Sequence, residues 1–326
     1  MIYMAEQEIT IKPFKTIEEL IEILKERGCI ISDVSFARET LSKINYYRLT
    51  AYLLPFKDKG SKEERYLPKT TFEKIVSLHE FDRKLRSLLL QAIDCIEVTL
   101  RARLARTHVK NHHCDPIAYI PPTESLYFKK KEHEEDFSKK IAAIKSNNSD
   151  NLIIKHHENK YGGKLPLWVI IEFFTLGYLS RFYSYLTIED KNEIAKQFIH
   201  EYIYEDSRHK FLKSWLHCCT ILRNSCAHFE VLYNKSFSYV PKGFNENEKV
   251  STSLWAFILV IKWLHPYPDQ WHKEFMPQLK SLINNYLENS DLERLSFPKN
   301  WKEKLEEKSQ KSSFKENLLI HKKRDV

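Results

Sequence analysis

The sequence predicts an all-α fold, and three observations support this prediction. The chain has only six glycines in 326 residues, too few to supply the tight turns that β-hairpins need. Apolar residues recur at the three- and four-residue spacing of helices over long segments. Helix-capping residues stand before several of those segments. A hydrophobic content of 42% is enough for the core of one large domain or two modest ones.

The N-terminal part of the chain, residues 1–68, predicts a small helical unit. In "TIEELIEILKERG", Thr16 and Glu19 form a capping box and Gly28 ends the first helix. "SFARETLSKINYYRLTAYLLPF" continues with helical apolar spacing as far as Pro55. The next stretch, "KDKGSKEER", is polar and charged, which is typical of a loop.

Residues 69–290 predict the main helical domain. A second capping box, Thr70 with Glu73, opens the longest helical pattern, which is one helix or two in series. Residues 111–160 mix prolines, charge runs and polar stretches, and we interpret them as a partly helical, mobile insertion. Its role stays open between a lid, an RNA-contacting arm and a loose insertion.

Four further predictions concern the second half of the chain. Pro166 takes the first helical position of "PLWVIIEFFTLGYLSRFYSYL", and Thr187 caps the next helix with Asp190 in the box position. In "DSRHKFLKSWLHCCTILRNSCAHFEVLYN", apolar residues at helical spacing predict the face that packs on the core. These residues are Phe211, Leu212, Trp215, Cys218, Cys219, Leu222 and Cys226. Residues 291–326 predict a charged C-terminal tail.

Charge and cysteine usage favour a cytoplasmic protein with a polyanionic partner. The formal net charge is +8 and the pI is about 8.9, so nucleic acid is the favoured class of partner. The six cysteines lie in unrelated contexts, and "MIYMAEQEITIKPF" lacks the basic region and apolar core of a signal peptide. The longest apolar stretches are too short or carry Lys262 or Glu172, so no membrane segment is expected.

The segment "LRNSCAHFE", residues 222–230, carries polar residues inside an otherwise apolar helical pattern. Asn224 and His228 are four residues apart and share a helix face, and the long side chain of Arg223 can reach them from one step around. By itself the triplet has two interpretations. One is a partly buried histidine satisfied by an asparagine, and the other is a catalytic group.

The segment "LRNSCAHFEVLYN" resembles the signature of the HEPN superfamily of all-helical RNA-cleaving domains, in which an arginine is followed by a polar residue and then a histidine. The chain is also similar to the Abi-like abortive infection proteins of the AbiD/AbiF group. That similarity rests on "INYYRLTAYLLPF", "FDRKLRSLLLQAIDCIEVTLRARLA", "PLWVIIEFFTLGYLSRFYSYL", "LRNSCAHFEVLYN" and "FPKNW", which occur in the family's order from about residue 44 to 301. It implies a HEPN-type helical bundle with a small helical N-terminal unit.

The resemblance implies a metal-independent endoribonuclease, a toxin in antiviral defence, that needs no cofactor. An RNA 2′-hydroxyl would attack the adjacent phosphate and leave a 2′,3′-cyclic phosphate end. His228 would be the general acid or base, Arg223 would stabilise phosphate charge, and Asn224 would hold the imidazole or a phosphate oxygen. The family's domains commonly pair across a two-fold axis, so the expected partners are RNA and a second copy of the chain, with a bound noncoding RNA as an extension.

Two other groups of candidate residues have two interpretations each. Glu97 and Arg101 form either a helix-surface ion pair or a support of the motif helix, as their place in a family-like segment suggests. Three adjacent residues of "INYYRL" either bind RNA by stacking and phosphate contact or pack in the core or an interface. These residues are Tyr46, Tyr47 and Arg48.

No metal site is expected, because neither cluster of histidine and cysteine has the paired spacing of zinc ligands. The two clusters are His112, His113 and Cys114, and His217, Cys218 and Cys219. Cys226 lies on the apolar stripe, which favours packing over a nucleophilic role. The competing function is a non-catalytic RNA-binding scaffold or regulator, which would bind RNA in a salt-dependent manner without cutting it. A protein-binding, antitoxin-like role is less favoured, since the chain is large and carries the motif.

Overall fold

The computed structural model describes residues 13–61, 63–111, 130–199, 207–245 and 248–307. Regular structure in these ranges is helical, with β pairing confined to isolated bridges, so the all-α prediction is confirmed. The chain divides into two compact units, Met1–Asp82 and Arg83–Val326. The predicted domain limits and the HEPN type of the bundle stay predictions.

Four helices build the first unit, and the last of them continues into the second. They are α1 (Ile17–Glu26), α2 (Val34–Lys43), α3 (Tyr46–Leu53) and α4 (Phe72–Asn111). The capping box of Thr16 and Glu19 is confirmed, with both reciprocal hydrogen bonds present. Gly28 follows α1 at φ +85°, a left-handed conformation that a glycine adopts without a steric penalty.

Two predictions for this unit are wrong in detail. The helical pattern to Pro55 is interrupted between α2 and α3, where the side chain of Asn45 caps α3 by accepting a hydrogen bond from the Tyr47 backbone N–H. The predicted capping box of Thr70 and Glu73 does not form. The cap of α4 is Thr71, whose hydroxyl accepts from the backbone N–H of Lys74 at 3.1 Å. The buried Thr70 hydroxyl instead donates to the Leu67 carbonyl at 2.7 Å.

The second unit contains the remainder of α4 and the later helices. They are α5 (Lys131–Asn147), α6 (Leu152–Tyr161), α7 (Leu167–Ile170), α8 (Leu176–Tyr185), α9 (Ile188–Phe198), α10 (Arg208–Ala227), α11 (Leu254–Leu264), α12 (Pro268–Gln270), α13 (Met276–Tyr286), α14 (Asn289–Arg294) and α15 (Trp301–Glu306). A π-helical turn over Trp271–Phe275 joins α12 to α13. No described helix is both long enough and apolar enough to cross a bilayer.

The segment after Pro166 is not one long helix. Pro166 caps the short α7, a 3₁₀ turn over Ile171–Phe173 follows, and Phe174 is extended. Thr175 then caps α8 by accepting from the backbone N–H of Tyr178 at 3.3 Å. The Thr187 cap of α9 is confirmed, since its hydroxyl accepts from the backbone N–H of Asp190.

Two predicted regions lie partly outside the described residues. In the predicted insertion, residues 112–129 lie outside them, whereas α5 and α6 show its helical part. In the predicted charged tail, residues 308–326 lie outside them, but the residues before that point are packed against the unit. Trp301 and Leu305 of α15 are buried, because the aromatic and aliphatic side chains of this short helix face the core.

Candidate catalytic site at the end of helix α10

Helix α10 is held in the core by the predicted apolar stripe. All seven of its predicted members are buried, which confirms the prediction: Phe211, Leu212, Trp215, Cys218, Cys219, Leu222 and Cys226. The helix packs against α8, α9 and α11. Gly177 of α8 lies so close that an added Cβ would approach the Thr220 side chain of α10 to 3.3 Å. The absence of a side chain there lets the two helices approach closely.

The helix ends at Ala227, so His228 is its C-terminal cap and not an interior residue as the sequence pattern indicated. The backbone N–H of His228 donates to the Asn224 carbonyl at 2.9 Å. Phe229 then takes the left-handed conformation at φ +58°. The N–H of Glu230 reaches back to the Ser225 carbonyl at 2.9 Å. These bonds close the helix in a Schellman arrangement, which usually places glycine where this chain has Phe229.

The three motif residues lie on the accessible side of this helix end. Arg223 is half-buried, whereas Asn224 and His228 are exposed. A guanidinium nitrogen of Arg223 makes a long contact of 3.5 Å to the side-chain oxygen of Asn224. His228 follows Arg223 by five residues, roughly 7.5 Å of rise along a helix. The structure therefore brings Arg223 and Asn224 together and sets His228 about one turn away.

Three residues that the sequence interpretation missed, Arg86, Ser225 and Lys235, hold Glu230 just after His228. The buried Arg86 of α4 donates to the Glu230 carbonyl at 3.1 Å. The Glu230 carboxylate accepts from the Ser225 hydroxyl at 2.8 Å and from the Lys235 ammonium. The hydrogen bond from Lys235, then that from Ser225, and the nearby charge of His228 lower the pKa of Glu230. Arg86 could have been noticed as an arginine at helical spacing among apolar residues of α4.

Glu97 and Arg101 form the predicted ion pair in a half-buried setting. A guanidinium nitrogen of Arg101 lies 2.5 Å from the Glu97 carboxylate, and each side chain is only 15% exposed. The same nitrogen donates to the Phe174 carbonyl at 2.8 Å. Phe174 directly precedes the cap of α8, which packs on α10. This geometry is compatible with indirect support of the motif helix, and that role stays a prediction.

Tyr46, Tyr47 and Arg48 differ in exposure within the first unit, since Tyr46 and Arg48 are half-buried and Tyr47 is exposed. Tyr47 is 73% exposed and its ring meets that of Tyr46 edge-on at 6.0 Å. Burial raises the pKa of Tyr46. Arg48 donates to the ring of His79 at 3.2 Å. The predicted RNA-binding role of the three residues stays a prediction.

Of the two clusters of histidine and cysteine that were considered as metal sites, the structure describes one, and the thiols of that cluster are buried in the core. His112, His113 and Cys114 lie outside the described residues. The ring of His217 packs edge-on against Tyr239. Cys218, Cys219 and Cys226 are buried, and burial raises the pKa of Cys219 to about 12. Within the described ranges, no three histidine, cysteine or acidic side chains lie close enough together to hold a metal ion.

The family of the chain follows from comparison with known families. The model of the Abi-like protein family matches residues 39–234. The chain belongs to this family. The matched region of this Abi-like abortive infection protein includes Arg223, Asn224 and His228. No curated protein and no solved structure gives a significant match.

Proposed function

We propose that this Abi-like protein is a metal-independent endoribonuclease of HEPN type that acts in abortive infection defence against phage. The observation that carries the proposal is the arrangement of Arg223, Asn224 and His228 at one accessible helix end, inside the segment that the family model matches. Cutting cellular or phage RNA inside an infected cell would halt growth and block phage propagation. The net charge of +8 suits a polyanionic substrate.

The proposed reaction forms one phosphorus–oxygen bond and breaks another, and it needs no metal or redox partner. The ribose 2′-oxygen forms a bond to the adjacent phosphorus and loses its proton, and the bond from phosphorus to the 5′-oxygen breaks. The leaving 5′-oxygen takes up a proton, so the products are a 2′,3′-cyclic phosphate and a 5′-hydroxyl. Histidine is suited to either proton transfer at neutral pH, and His228 is exposed to solvent, where RNA could reach it.

Arg223 and Asn224 would handle the charge of this reaction. A guanidinium presents forked donors to phosphate oxygens and stabilises the charge that builds up at phosphorus. The contact from Arg223 to Asn224 is long enough to be exchanged for a phosphate oxygen. The closed helix end and the anchor from Arg86 to Glu230 limit movement of the backbone around His228. Such restraint preserves catalytic geometry.

Pairing of two chains would supply both a general acid and a general base to one site. In-line transfer benefits from a base at the 2′-oxygen and an acid at the 5′-oxygen, and each chain supplies one such motif. A two-fold axis beside the ends of two α10 helices would place two His228 side chains in one cleft. We therefore include a homodimer in the proposal.

The test uses purified wild type and His228→Ala with mixed cellular RNA in EDTA, measuring cleavage rate, end chemistry and RNA affinity. His272→Ala is the matched control, because His272 lies on the π-helical turn and outside the motif. We expect His228→Ala to cut roughly 10²- to 10⁴-fold more slowly and to bind RNA as before, while His272→Ala cuts at the wild-type rate. If wild type binds RNA and does not cut it, the scaffold function replaces the nuclease. Equal rates for wild type and His228→Ala would remove His228 from catalysis.

A further inference from the structure

A groove in the second unit lies away from the motif helix, between the latter half of α4 and the short helix α7. Its volume is about 440 Å³, within the range of small-molecule pockets. Apolar and basic residues share its lining. They include Ala105, Arg106, Val109 and Lys110 on α4, Trp168 on α7 and Ile171 beyond it. The groove thus combines an aromatic ring with aliphatic and basic side chains.

Trp168 differs from every other tryptophan of the chain. It is 45% exposed, although its neighbours Leu167 and Ile170 on α7 are buried. The chain has six tryptophans, and the other five are at most 4% exposed: Trp215, Trp255, Trp263, Trp271 and Trp301. An indole face left open to solvent in a groove is a platform on which a nucleobase can stack.

The basic residues of the groove lie on one face of α4. Arg106 and Lys110 are four residues apart, so they follow one another by roughly 6 Å along the helix. Both are exposed. Lys110 pairs with Glu193 at 2.9 Å, and Arg106 makes no ion pair with any residue that the structure describes. Arg101, at the inner end, is already engaged by Glu97. Arg106 is therefore the cation most available to a phosphate.

One acidic residue also lines the groove. Glu172 is 62% exposed, and its carboxylate lies 3.9 Å from the guanidinium of Arg101. The lining thus contains three cationic side chains and one anionic side chain. This balance favours an anionic ligand over a neutral or cationic one.

We propose that this groove binds single-stranded RNA, with a base stacked on Trp168 and neighbouring phosphates held by Arg106 and Lys110. The proposal rests on RNA being the ligand of the proposed function and adds a second contact point for it. Arg86 is the residue of α4 that lies beside the motif, since it donates a hydrogen bond to the Glu230 carbonyl just after His228. Arg106 lies 20 residues further along the same helix, or roughly 30 Å. The groove therefore acts on affinity for long RNA and not on the chemical step.

Fluorescence provides a test of the stacking contact in the full chain. Trp168 is the tryptophan that acrylamide can reach, so Trp168→Phe should remove most of the quenchable emission. The probe is oligouridylate in the His228→Ala background, where cutting is expected to be roughly 10²- to 10⁴-fold slower than in wild type. We expect the oligonucleotide to protect the quenchable emission. Trp168→Ala should weaken RNA binding by about 5- to 150-fold, the range for the loss of one stacked base.

Charge variants test the phosphate contact separately. Arg106→Gln should lower the slope of log affinity against log salt by about 0.7, as expected for one phosphate of a single strand. Lys299→Gln is the control, because Lys299 is exposed in the segment before α15 and carries the same charge. Its slope should stay near the wild-type value. Arg106 is exposed, so this substitution is not expected to unfold the chain.

The outcomes separate this inference from the proposed function. If wild type fails to cut RNA while binding still depends on Trp168 and Arg106, the nuclease proposal fails and the groove stands. If wild type cuts RNA but Trp168→Ala and Arg106→Gln bind it normally, the groove does not bind RNA. Protection of Trp168 by a protein partner in place of RNA would also overturn the inference. If no RNA binds at all, both proposals fail.

Discussion

The end of helix α10 depends on a phenylalanine in a conformation that favours glycine, and two substitutions can measure the consequence. Phe229 has φ +58° and is 66% exposed. Phe229→Gly and Phe229→Ala both remove the ring and whatever contacts it makes. They differ mainly in the Cβ atom, which the left-handed conformation disfavours. Comparison of the two variants therefore isolates the backbone cost.

The expected difference follows from the two contributions. About one third of the Phe229 side chain is covered, so removing it loses roughly 1 to 2 kcal/mol of apolar burial in each variant. A Cβ in the left-handed region costs roughly 1 to 2 kcal/mol. Glycine loses part of that gain through its larger entropy in the unfolded chain. Phe229→Gly should be more stable than Phe229→Ala by about 1 kcal/mol, a factor of about five in the unfolding equilibrium.

Urea unfolding of both variants, followed by far-ultraviolet circular dichroism, measures this difference. RNA cleavage by the same proteins then separates the helix end from the ring. If His228 needs only a closed helix end, Phe229→Gly should cut RNA at least as fast as Phe229→Ala. An alanine variant as stable as the glycine variant would refute the left-handed Schellman ending of α10.

Three further predictions concern stability. Arg101→Met should destabilise the chain by about 3 to 5 kcal/mol, because it leaves the Glu97 carboxylate, 15% exposed, without its cation; a urea midpoint close to that of wild type would contradict this. Burial lowers the pKa of Lys262 from 10.5 to about 8, so between these values the unfolded chain binds the additional proton and wild-type stability rises with pH. The rise should reach at most about 3 kcal/mol, and the difference in unfolding free energy between wild type and Lys262→Met across pH 7 to 10 should show it. Thr71→Ala should lower the free energy of unfolding by about 1 kcal/mol, because the cap of α4 is lost. Thr71→Ser keeps the hydroxyl and should retain most of that stability. An equal loss of stability in both variants would argue against the cap.

Local signals in the sequence predicted those elements whose causes are local. The capping box of Thr16 and Glu19 involves residues three positions apart, and both hydrogen bonds form. The apolar stripe of α10 was readable because helical spacing places its members on one face. The Thr187 cap of α9 belongs to the same class. Each of these features needs no knowledge of the rest of the chain.

Other features depend on contacts between distant segments or on unusual backbone, and these escaped prediction. The end of α10 was missed because residue 229 is a phenylalanine and not the glycine or asparagine that usually adopts the left-handed conformation at a helix end. The break before α8 is stabilised by Arg101, which is 73 positions from Phe174. Thr70 has the residue type of a cap, but its hydroxyl is taken by the Leu67 carbonyl. The exposure of Trp168 could not be read from an apolar pattern that predicts burial.

In the proposed mechanism, the motif at the end of α10 directs the 2′-hydroxyl of RNA against its own phosphate. Comparing the cleavage of an RNA oligonucleotide with that of its fully 2′-O-methylated counterpart in EDTA tests this mechanism. The methylated strand retains the bases and phosphates and lacks the attacking hydroxyl. We expect both strands to bind and only the ribose strand to be cut, with 2′,3′-cyclic phosphate and 5′-hydroxyl ends. Cleavage of the methylated strand, or an intact ribose strand, would contradict it.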